Sequence, residues 1–186
     1  MNNGTKALFI LGAIGGFIIA IMYIPGALGW TFADVPWDQL QWFLFCTLAF
    51  ILVSIGFLGL WRKSGNVIPL VSAIFIFLEA ITYYLLFYLW LVDPLSWPTP
   101  ASLDTIVTII LGIAWLTAGV SAWILREEFS PFAIVATLVF VAFAAVYLVV
   151  GLLFPSMLAP IPNWMMWVFT VLSIVVGMYF LDAART

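Results

Sequence analysis

The sequence predicts an all-α, polytopic integral membrane bundle of six transmembrane helices. Three observations predict it. Hydrophobic residues make up 67% of the 186 residues and charged ones 7%, whereas a water-soluble surface needs about 25% charged residues. Six stretches are long and apolar enough to cross about 30 Å of hydrocarbon, which takes about 20 residues in a helix. All five Lys and Arg residues fall on one side of the layout that those six stretches define.

The first span, Ala7–Leu28, carries Gly12, Gly16 and Ala20 at i, i+4 and i+8. Lipid tails are as apolar as leucine, so helices meet through close packing of small residues. This stripe therefore predicts a packing face, either within the chain or between copies. The run exceeds the roughly 7–15 apolar residues of a signal peptide and reads as a retained helix. Pro25 removes a backbone donor near its end, marking a kink or a stop. The second span, Leu40–Trp61, offers Ala49, Gly56 and Gly59, and Arg62-Lys63-Ser64-Gly65-Asn66 separates it from the third, Val67–Val92. A Pro-rich loop from Asp93 leads to the fourth span, Leu103–Leu125, where Gly112 and Gly119 share a face. The fifth, Phe132–Phe154, and the sixth, Trp164–Leu181, are separated by Pro155 to Asn163. No connector is long enough for a second domain, so residues 1–186 form one. Arg62 and Arg126, Pro69 and Pro131, and Pro94 and Pro155 recur at about 60 residues, which suggests three tandem two-helix units of the kind membrane proteins often repeat.

Orientation follows from the basic residues, which collect in cytoplasmic loops. Lys6, Arg62, Lys63, Arg126 and Arg185 all lie inside if both termini are cytoplasmic. The expected location is the plasma membrane. Asp34, Asp38, Asp93 and Asp104 then lie outside, where an acidic face attracts cations or a basic partner; acids are also simply what remains when bases are kept inside.

Much chemistry is excluded by inventory. There is no histidine, so Ser-His-Asp and Cys-His nucleophile systems lack their base and His-ligated haem, zinc or copper is not expected. Five basic residues cannot build a nucleic-acid surface. Lys6 and Lys63 are terminal to their helices, so no mid-helix Schiff base is available. Cys46 reads as a buried thiol. No cofactor and no metal site are expected, and catalysis by this chain alone is not expected.

Glu79 is the sharpest signal. It lies at the centre of the third span, where a charged carboxylate costs about 2.5–3.5 kcal/mol on insertion scales. No Lys or Arg shares its depth, so desolvation favours the neutral acid. Ser72, Glu79, Thr82 and Tyr83 share a helical face by 3.6-residue spacing. Trp115 lies at the matching depth of the fourth span, with Thr108, Gly112 and Gly119 on its own face. Glu79 either binds a cation or proton on a path lined by Thr82, Tyr83 and Trp115, or donates a hydrogen bond to a hydroxyl or carbonyl that pins the third span to the fourth or to a helix of another protein.

Tryptophans crowd the outer boundary: Trp30, Trp37, Trp42, Trp90, Trp97, Trp164 and Trp167. Aromatic belts belong at headgroup depth, but this excess also suits a cup for an apolar ligand or a surface against a partner. The leading expectation is a non-catalytic accessory subunit of a larger membrane complex, partnered by lipid and by other subunits or its own copies. The alternative is a small-solute or cation/proton-linked transporter, channel or substrate-capturing component that uses Glu79.

Overall fold

The computed structural model describes residues 3–30, 38–92, 101–128, 132–153 and 163–186. Within them the chain forms α1 (Asn3–Ala27), α2 (Gln39–Ser64), α3 (Val67–Val92) and α4 (Ala101–Ile124). The fifth span is α5 (Phe132–Ala145), a π-helical turn (Val146–Val150) and a last turn α6 (Gly151–Leu153); α7 (Asn163–Arg185) is the sixth. Among the described residues six helices are long and apolar enough to cross a membrane. The fifth departs from the unbroken α-helix expected over 132–154. An apolar run of uniform character cannot signal where one extra residue enters a turn.

Local chemistry sets the helix ends. Asp38 caps α2: its Oδ1 accepts from the Gln41 backbone N–H at 2.7 Å, and the Gln41 side chain accepts from the Asp38 N–H at 3.1 Å. Asn66 caps α3 by accepting from the Ile68 N–H at 2.9 Å. Pro25 stays inside α1, and the helix stops two residues later at Ala27. Trp30 and Gly29 then donate back to Pro25 and Gly26 at 2.9 and 3.1 Å, with Gly29 at φ 77°. Only a left-handed residue permits that closure, and glycine adopts it without a Cβ clash.

Each span packs on its chain neighbours, and α7 closes on α1, so the six form a ring. α1 is wedged between α2 and α7. A Cβ on Gly12 would stand 2.7 Å from the Gly56 Cα, and one on Gly15 would meet Ala49 and Val53 of α2. One on Gly16 would stand 2.6 Å from the Gly177 backbone N of α7. Ala20 is buried on the same helix. On α4, Gly112 backs onto Leu148 and Gly119 onto Val141, so both small residues face the fifth span. Large apolar side chains such as Leu138, Leu153 and Val92 cover the outside, the surface expected against lipid rather than water.

Aromatic rings fill the interior. Trp115 meets Phe143 at 5.7 Å, Phe143 meets Phe169 at 5.1 Å, and Phe169 stacks on Tyr23 at 4.7 Å. Tyr23 meets Trp42 at 5.6 Å, and Trp42 meets Tyr83 at 5.8 Å. That path touches all six spans in turn. Such pairs add about 0.5–1.5 kcal/mol each beyond area burial.

Candidate functional site

The register of α3 against its neighbours places Glu79. Ser72 of α3 and Ser121 of α4 share a buried hydroxyl hydrogen bond at 2.9 Å. Seven residues on from Ser72, and seven back from Ser121, Glu79 stands level with Ala114, beside Trp115. On the other flank, Ser54 of α2 donates to the Ala73 carbonyl at 2.8 Å, which brings Glu79 level with Leu48, close to Cys46. Gly112 against Leu148 and Gly119 against Val141 fix α4 on the fifth span, so the same level passes through Val146, where the π-helical turn begins. By a rise of 1.5 Å per residue, Glu79 is about 18 Å from the start of α3.

Its carboxyl points into the ring, with 2% of the residue exposed. One oxygen, Oε2, is buried and has no hydrogen-bond partner among the described residues. Leaving a buried polar atom unpaired costs about 1–3 kcal/mol, so the arrangement needs a reason beyond packing. Tyr83 lies one turn along α3, and the level of the carboxyl passes two residues from Cys46 of α2 and one residue from Tyr147 of the π-helical turn. Tyr83 in turn shares a hydroxyl hydrogen bond of 2.5 Å with Tyr23 of α1. One carboxyl, one thiol and three phenols thus converge from α1, α2, α3 and the fifth span.

The other residues expected around Glu79 fall differently. Ser72 is buried but spends its hydroxyl on Ser121 and on the Ile68 carbonyl. That pair joins α3 to α4 by a side-chain hydrogen bond. Thr82 is buried and donates to the Leu78 carbonyl at 3.1 Å. Trp115 is buried against Phe140 and Phe143, and its indole Nε1 has no partner among the described residues. Thr108 is half-buried on α4.

Of the outer aromatic rim, Trp37 and Trp97 lie outside the described residues. Trp164 lies in α7, and Trp167 is 47% exposed. Trp42, in the first turn of α2, turns inward and donates its indole N–H to the Met22 carbonyl at 3.3 Å. Asp38, counted among the outer acids, is occupied as the cap of α2.

Two participants escape a reading of the sequence. Tyr23 stands near the end of an apolar run and looks like a belt residue, yet it is buried among rings. Tyr147 enters the site through a π-helical turn, a feature often found at functional positions. A phenol well inside an apolar span, away from either end, is the available hint.

No family model, no curated protein and no solved structure matches this chain.

Proposed function

We propose that this multi-pass membrane protein binds a cation or proton at Glu79 as part of moving a small solute across the plasma membrane. The carrying observation is the Glu79 carboxyl, turned into the ring half-way along α3 with an oxygen that has no partner among the described residues. Acids inside spans face the bundle interior and mark ion or proton pathways. The reading takes both termini as cytoplasmic, supported by the placement of Lys6, Arg62, Lys63, Arg126 and Arg185, and the chain as three successive two-helix units. It is preferred to an accessory-subunit role because Glu79 and the small residues of α1 are used inside the chain. Neither is offered to a neighbour.

The test uses inverted membrane vesicles carrying an imposed pH gradient reported by an acridine dye. Addition of a transported cation collapses the gradient in vesicles with the native chain and leaves it intact with Glu79→Gln. A carbodiimide, which reacts with protonated intramembrane carboxyls, labels the native protein and not the variant. An equal response from Glu79→Gln overturns the proposal.

A further inference from the structure

We infer that the ligand of the Glu79 site is an organic cation, an ammonium group carried on an apolar body, rather than a metal ion. The inference rests on the reading of Glu79 as a cation site. Its new content is the class of cation, and three observations carry it.

The first is the inventory of ligating atoms. Hard cations such as Ca²⁺ take about six to eight oxygens, mostly carboxylates and carbonyls. No group of three or more His, Cys, Asp or Glu residues that could hold a metal occurs among the described residues. The titratable groups that the helix register sets near Glu79 among the described residues are the Cys46 thiol and the Tyr83 and Tyr147 phenols, which are weak ligands for hard ions when neutral. Hydroxyls on the surrounding helices lie back along their own backbones: Thr47 donates to Phe43 at 2.8 Å and Ser173 to Phe169 at 2.7 Å.

The second is the aromatic packing of the helices at the level of the carboxyl. Tyr83 is stacked on Phe50 with ring centres 5.1 Å apart. Tyr147 packs on Phe143 at 4.9 Å, and Phe143 on Trp115. Aromatic faces attract a cation through the ring quadrupole, most strongly where water is excluded, and aromatic cages recognise quaternary ammonium groups. A carboxylate supplies the full countercharge, and the rings accept the alkyl groups that a metal ion lacks.

The third is the orphaned pair of polar atoms. Glu79 Oε2 and Trp115 Nε1 are both buried and unpartnered among the described residues, on adjacent helices at one level. A ligand bearing a cationic head satisfies the carboxyl, and an acceptor elsewhere on the same molecule satisfies the indole.

Charge balance follows directly. The organic cation pairs with the Glu79 carboxylate and the carboxyl proton leaves, so one proton is released per ligand bound. The titratable groups around this exchange are Cys46 from α2, Tyr83 on α3 itself, Tyr147 from the fifth span and Tyr23 from α1; the neighbouring face of α4 presents Trp115 and Ser121, neither of which titrates.

The experiment is calorimetric titration of the full-length protein in detergent with benzyltrimethylammonium chloride, run in two buffers of different ionisation enthalpy to count protons. Sodium and lithium chloride serve as comparisons. The expected result is saturable binding of benzyltrimethylammonium with about one proton released, weakened at least tenfold by Glu79→Gln. Tyr147→Phe keeps most of the affinity because the ring face remains, and Tyr147→Leu loses several-fold. If sodium or lithium binds at Glu79 with proton release while the ammonium compound does not, the organic-cation inference fails and the cation site stands. If no cation binds in a Glu79-dependent way, both fail. Equal affinities for Tyr147→Phe and Tyr147→Leu also overturn the aromatic cage.

Discussion

Replacing Gly16 by alanine should loosen the seam that closes the ring. The new Cβ would stand 2.6 Å from the backbone N of Gly177 and 2.9 Å from the Ser173 carbonyl oxygen. Both are backbone atoms and cannot rotate aside. An ordinary carbon contact needs about 3.6 Å, so α1 and α7 must part by about 1 Å, and a gap of that size forfeits up to about half of each dispersion contact along the seam. Overpacking costs about 1–3 kcal/mol, and two immovable backbone contacts put this case in the upper part of that range, about 2–3 kcal/mol. Alanine returns up to about 1 kcal/mol through its better helix propensity, so the net loss is about 1–2 kcal/mol, or about 5–30-fold in the folded ratio. Gly26→Ala is the control, since its nearest neighbour is the flexible Met166 side chain at 3.4 Å. The assay is SDS-induced unfolding in detergent micelles followed by tryptophan fluorescence. Native stability in Gly16→Ala, or an equal loss in Gly26→Ala, would refute the packing argument.

Ser72→Ala removes the hydroxyl pair with Ser121, and intramembrane hydrogen bonds average about 0.6 kcal/mol. The same unfolding assay should register a small loss of that order, and a Ser72/Ser121 double alanine should lose little more than either single variant. Cys46 is fully buried, so a maleimide should label it only after SDS unfolds the bundle; rapid labelling of the native protein would place α2 differently. Asp38→Ala removes the capping box of α2 and should cost about 1 kcal/mol, seen as faster amide hydrogen exchange over the first turn of α2, with Asp38→Asn largely restoring protection.

Several features are legible in the sequence. Six spans follow from length and apolarity, because a bilayer imposes both and the backbone must satisfy itself within each helix. Glu79 stood out since a lone acid in an apolar run is costly wherever the helix turns. The glycines of α1 announced a close approach, but not whose backbone they meet. Gly12 faces Gly56 and Gly16 faces Gly177, contacts between residues far apart in the chain.

What the chain's residue order determined alone is the material: six hydrophobic helices with one acid half-way along α3. What only the tertiary structure decided is the company that acid keeps. A helix fixes which residues share its own face, yet the rotation and register of the other five depend on side-chain interlocking across seams. Ser72 therefore pairs with Ser121 instead of joining Glu79. Tyr147 reaches the site because a π-helical turn resets its face, and Tyr23 meets Tyr83 across sixty residues of chain. Periodicity within one helix carries no record of such juxtapositions, since each is set by the sum of many weak contacts.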